Sequence, residues 1–146
     1  MSKALEDFIA QYPLTLNDDV RWGDMDAFGH VNNTVYYRYF ESARVLMDER
    51  ISFHDAENNI GAILAEQSCR YRIPVIYPDT LTIGLRNIEI REFDVIQEYA
   101  LFSHTHQAIA ATGTGRLVRF DYRNNSKVMI DDNLRRRLQT IEWAGA

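Results

Sequence analysis

Cysteine is almost missing from this sequence: Cys69 is the single thiol among 146 residues. One thiol closes no intrachain bridge, and nothing marks the chain for an oxidising compartment. Cys69 is therefore expected as a buried structural residue. Proline and glycine are sparse as well, at three and seven residues, which excludes collagen-like repeats and proline- or glycine-rich disorder. No long hydrophobic run is present. The segment 1–16 carries Glu6 and Asp7 and lacks a basic start followed by an apolar stretch, so neither a secretory signal nor a membrane span is expected there. An excess of positive charge is absent too. The net charge of −5 argues against a nucleic-acid surface, which needs a basic face for phosphates.

What remains is the composition of a globular protein, 46% hydrophobic and 25% charged, expected to fold as one domain over residues 1–146 and to reside in the cytoplasm. The basic run Arg135, Arg136 and Arg137 sits in an expected C-terminal helix beside an apolar stripe of Leu134, Leu138 and Ile141. It reads as a solvated helix face.

Leu14, Leu16, Val20 and Trp22 at even spacing predict a first strand, with Asp18 breaking the apolar row. Residues 24–33 hold two aspartates, Gly29 and an Asn pair, the composition of a loop leading into a helix. From Thr34 to about Arg50, Tyr36, Tyr39, Phe40, Ala43, Leu46 and Met47 follow helical spacing, and Asn32 or Asn33 can cap that helix. Four extended stretches follow, roughly residues 60–73, 80–92, 95–106 and 108–122, separated by turn signals. A last helix is expected from Asp131 or Asp132 to Glu142. Long strands on short connections make an antiparallel sheet. Its apolar face must be covered, and the long helix is the cover. The fold class is α+β, an antiparallel sheet of five or six strands wrapped around one long central helix.

The run Val20-Arg21-Trp22-Gly23-Asp24-Met25-Asp26-Ala27-Phe28-Gly29-His30-Val31-Asn32-Asn33, continuing through Tyr36, Tyr39, Phe40, Glu41, Ala43 and Arg44, resembles the 4-hydroxybenzoyl-coenzyme A thioesterase family. Tyr71-Arg72-Ile73-Pro74 followed by Asp79 resembles that family's strand-turn-strand junction, and the resemblance spans about residues 13–142. It implies the hotdog fold and hydrolysis of an acyl-coenzyme A to free acid and coenzyme A, without cofactor or metal. It implies Asp26 as the catalytic carboxylate and the backbone amide of Asn33 as the donor that polarises the thioester carbonyl. His30, Asn32, Tyr36, Arg70 and Arg72 are carried as substrate-binding candidates. A homodimer or homotetramer with the site at the subunit interface is implied as well. Some bacterial acyl-coenzyme A thioesterases carry a histidine where this chain has Asn33, so a histidine-assisted mechanism is not expected here.

The residue chemistry agrees with that implication. A carboxylate, ionised at neutral pH, can attack a thioester carbon or activate water. A helix start offers free amides and a partial charge of roughly +0.5 for the developing oxyanion. The competing reading of Asp26 is a turn-stabilising residue. His30 suits a structural hydrogen bond at the helix entrance.

Other motifs fail on their own terms. A calcium loop at Asp24 to Asp26 would put Phe28 and Val35 where oxygen ligands belong. His104 and His106, expected on one strand face, lack a third metal ligand nearby. Gly113-Thr114-Gly115 lacks the third glycine of a dinucleotide loop. Two rival functions remain open: hydrolysis of an acyl group on acyl carrier protein, disfavoured by the chain's own acidity, and a non-catalytic acyl-coenzyme A binding module, whose mark would be a missing carboxylate.

Overall fold

The computed structural model describes residues 1–143 and 145. Its elements run α1 (Lys3–Gln11), β1 (Leu14–Asp19), a single 3-10 turn (Trp22–Asp24), α2 (Asn33–Ile51), β2 (Ile60–Tyr71), β3 (Thr80–Ile90), β4 (Asp94–Ser103), β5 (Ala108–Asp121), β6 (Ser126–Lys127) and α3 (Asp132–Gln139). All pairings within the sheet are antiparallel, in the order β1-β3-β4-β5-β2, with the short β6 added to β5.

Helix α2 lies on the inner face of this sheet because its buried side is made of large rings and small or flexible apolars: Tyr36, Tyr39, Phe40, Ala43, Met47 and Ile51. Phe40 stacks on Tyr99 of β4 with ring centroids 4.9 Å apart. It also lies against Gly113 of β5, where an added Cβ would meet the ring at 2.5 Å and the Ser68 carbonyl at 2.6 Å. That glycine lets strand, ring and neighbouring strand close up. Burying Phe40, Tyr39 and Met47 contributes roughly 1.5–3 kcal/mol per side chain.

Three elements differ from expectation. Helix α1 was not anticipated. Ser2 caps it through Leu5 N, and Phe8 and Tyr12 pack on Ala100 and Phe102 as a second, smaller core. Since Tyr99 and Leu101 belong to the main core, the alternation along β4 puts α1 on the outer face. Strand β1 ends at Asp19, so Trp22 falls in the 3-10 turn and is 73% exposed. Strand β6 occupies a stretch that overlaps the expected turn at residues 123–126.

The arginines of the last helix are not simply solvated. Arg135 donates to the Ile90 and Arg91 carbonyls, and Arg137 Nε donates to the Ile51 carbonyl at 2.7 Å. The two guanidinium groups thus bind backbone carbonyls at the end of β3 and of α2. Helix α3 is thereby pinned across the ends of both elements, with Leu134 and Leu138 in the core.

Candidate active site

The stretch 24–32 folds as a small hairpin rather than a free loop. Met25 and Val31 form a bridge, the Asp26 amide donates to the His30 carbonyl at 2.9 Å, and the Asn32 amide donates to the Asp24 carbonyl at 2.9 Å. The reversal is made by residues 26–29, closed by Gly29 N to Asp26 O at 3.0 Å, and Gly29 has φ +80, a conformation L side chains rarely adopt. Val31 N donates to Val75 O at 2.8 Å, which ties the hairpin to the β2–β3 connection.

The two aspartates of the hairpin have different surroundings. Asp24 Oδ2 accepts from the Arg21 amide at 3.0 Å and from the Tyr39 hydroxyl at 2.9 Å. Burial first, and then the Asp24 carboxylate, push the Tyr39 phenol well above its ordinary value, so it remains a donor. Asp26 Oδ1 accepts from the Phe28 amide at 2.9 Å, an Asx turn. Its second oxygen has no hydrogen-bond partner among the described residues.

Asn32 caps the helix: its Oδ1 accepts from Thr34 N at 2.9 Å and from the Thr34 hydroxyl at 2.8 Å. The next amide, that of Asn33, opens α2, and among the described residues it has no acceptor. The Asn33 carbonyl accepts from the Tyr71 hydroxyl at 3.0 Å. Tyr71 is the last residue of β2 and is 46% exposed. Burial first, then the Cys69 thiol beside it, raise the Tyr71 phenol above its ordinary value, and burial likewise raises Cys69.

The remaining candidates are distributed unevenly. His30 is exposed and its ring makes no hydrogen bond among the described residues, so the expected side-chain bond at the helix entrance is not made; its backbone carbonyl accepts from the Asp26 amide within the hairpin. Tyr36 is 3% exposed, its hydroxyl accepting from Val75 N at 3.4 Å, so it packs the core rather than an open surface. Cys69 is half-buried rather than fully enclosed. It lies against the main core, so Arg70, the next residue along β2, points to the other face of the sheet.

There, Arg70 and Arg72 border an open depression of about 500 Å³ with Tyr12, Arg86, Glu98 and Thr112. The structure does not bring those arginines together with Asp26 and Asn33 on one face of a single chain. His104 and His106 lie in the β4–β5 turn and not on a strand, with His104 Nε2 and the Thr82 hydroxyl 2.7 Å apart. Among the described residues no group of three or more His, Cys, Asp or Glu side chains could hold a metal ion.

Beside the start of α2 runs a groove of about 810 Å³, bordered by Asp18, Arg21, Asp24, Thr34, Tyr37 and Gln67. Asp26 lies outside that lining. The Gln67 side-chain oxygen is buried without a hydrogen-bond partner. Sequence reasoning had no signal for Gln67. Tyr71 was legible as part of a strand-end motif but not as a contact of Asn33, which is 38 residues away.

An antiparallel sheet curled round a long helix, with a carboxylate hairpin at the helix start, defines a hotdog-fold protein of the thioesterase type. The chain belongs to the thioesterase-like superfamily, whose profile matches residues 20–138.

Among solved structures it is similar to the PA5185 protein of Pseudomonas aeruginosa strain PAO1, at 30% identity over 94% of this chain and 96% of that one, with a TM-score of 0.83. It is also similar to a thioesterase of Thermus thermophilus solved with coenzyme A and zinc, at 27% identity over 93% and 98% of the two chains, TM-score 0.79. A further relative is YsmA of Bacillus subtilis (strain 168), 25% identical over 80 residues; the chain spans about half of that relative's length, 54%. No helix is long and apolar enough to cross a membrane among the described residues.

Proposed function

We propose that the protein hydrolyses acyl-coenzyme A thioesters, with Asp26 as the catalytic carboxylate and the Asn33 amide as the donor to the thioester oxygen. The observation that carries this reading is the division of roles within one hairpin. Asp24 is held by Arg21 N and the Tyr39 hydroxyl, whereas Asp26 keeps one carboxylate oxygen without a partner, close in sequence to a helix-opening amide that is also free.

The Asp26 carboxylate attacks the thioester carbon, or takes a proton from the water that does. In either route a C–O bond forms and the C–S bond breaks. The oxygen charge that builds up on the way meets the Asn33 N–H and the positive end of α2. The thiolate leaves and is protonated to give coenzyme A. On the water route the free acid forms in the same event; on the attack route a water then cleaves the Asp26 mixed anhydride, releasing the free acid and restoring the carboxylate. Coenzyme A bound in the similar Thermus thermophilus thioesterase supports the carrier.

Thiol release from acetyl-, hexanoyl-, palmitoyl- and benzoyl-coenzyme A by the purified chain tests the reading. Hydrolysis of at least one, slowed by about 10²–10⁴ in Asp26→Asn, is the expected result. No release from any of the four, or release that Asp26→Asn leaves intact, would overturn it.

A further inference from the structure

The hydroxyl of Tyr71 lies 3.0 Å from the carbonyl of Asn33, the residue that opens α2. This bond joins the end of the edge strand β2 to the first turn of the helix. It belongs to a closed circuit. The Tyr71 ring meets the Tyr36 ring edge-on at 4.8 Å, the Tyr36 hydroxyl accepts from Val75 N at 3.4 Å, and Val75 O accepts from Val31 N at 2.8 Å. Val31 pairs with Met25 in the hairpin that carries Asp26. Carboxylate hairpin, strand connection, helix start and strand end are thus fixed to one another through two tyrosines. Tyr36 is buried, while Tyr71 is half exposed at the open end of the circuit.

The first residue of a helix is where the backbone frays, since its carbonyl is held only by the turn that follows. A second donor on that carbonyl, delivered from a strand, restricts the rotation that would swing the Asn33 amide. We infer that Tyr71 is a positioning residue, which through its hydrogen bond to the Asn33 carbonyl aims the Asn33 amide at the thioester oxygen without itself touching the reacting atoms. The inference rests on the proposed role of Asn33. Its energetic logic is that misplacing a donor by even ~1 Å costs rate while leaving most substrate contacts in place.

Tyr71→Phe is the direct test, because it removes one oxygen and keeps the ring against Tyr36. With the best hydrolysed of the four coenzyme A thioesters, kcat falls about tenfold while KM stays within about twofold, the signature of a loss felt more strongly in the transition state than in the bound thioester. A spectroscopic readout accompanies it. In the Asp26→Asn background, which holds the thioester intact, the infrared stretch of a ¹³C-labelled thioester carbonyl shifts down on binding, and adding Tyr71→Phe returns it toward the free value.

An unchanged kcat together with an unchanged carbonyl band overturns the inference, as does a rise in KM alone, which would make Tyr71 a wall of the binding site. Failure of the underlying reading looks different: wild type and Asp26→Asn would then be equally active or equally inert, and the inference would fall with it. If Tyr71→Phe does not fold, Tyr71→Trp, which keeps an aromatic ring but cannot place its donor in the same position, is read in the same two ways.

Discussion

Asp24 and Asp26 share a hairpin, a residue type and a separation of two, yet their oxygens meet different partners. Two donors converge on one oxygen of Asp24, and one of them is the hydroxyl of Tyr39, only 1% exposed. Replacing this carboxylate by an amide keeps an acceptor but removes the charge that strengthens both bonds. Asp24→Asn is therefore expected to lower stability by about 1 kcal/mol and activity by less than tenfold, measured by thermal unfolding and thiol release on the same preparation. A loss of activity as deep as that of Asp26→Asn, with unchanged stability, would reverse the assignment of the pair. The sequence exposed both aspartates, the helix cap at Asn32 and the helix start at Asn33. It could not separate Asn32 from Asn33 as the cap, because both side chains have the same chemistry and only the backbone angles decide.

At the scale of elements, the long helix was legible from the spacing of its aromatic and apolar residues and the four long strands from the turn signals that bound them, and the edges of β2, β3, β4 and β5 fall within three residues of expectation. Helix α1 was not read, although Leu5, Phe8, Ile9 and Tyr12 follow helical spacing behind the Ser2 cap. Nine residues make only a short window in which to recognise that spacing, and the helix owes its stability to the Phe102 and Ala100 surface it covers.

Register is equally invisible to sequence, and Gly113 depends on it. The glycine sits where Phe40 of α2 and the Ser68 carbonyl of β2 both approach. Gly113→Ala would need backbone as well as ring to move, and is expected to destabilise the fold by about 1–3 kcal/mol. Denaturant unfolding checks this, and a melting midpoint equal to wild type would mean that α2 sits less tightly on β5 than described.

For the whole molecule, β2 is the feature that asks for a partner. It is a 12-residue strand at the end of the sheet order, it exposes Ile63 and Tyr71, and its outward edge has no strand beside it among the described residues. A long, partly apolar free edge invites pairing with another copy. Edge-to-edge association through β2 would also place the Asn33 end of one subunit near a second chain. Arg70 and Arg72, which face away from Asn33 within one chain, could then serve a site shared between subunits. Sedimentation at micromolar concentration is expected to give at least a dimer; a monomer throughout that range would remove the shared-site arrangement.

The claim on which the rest depends remains the chemistry of Asp26, and kcat for Asp26→Asn measured by thiol release tests it most directly. The amide retains the bond from Phe28 N, so the hairpin and the melting temperature are preserved. Loss of the charge is expected to lower kcat by about 10²–10⁴ with KM within a few fold. A folded Asp26→Asn protein that turns over acyl-coenzyme A at the wild-type rate would contradict the account.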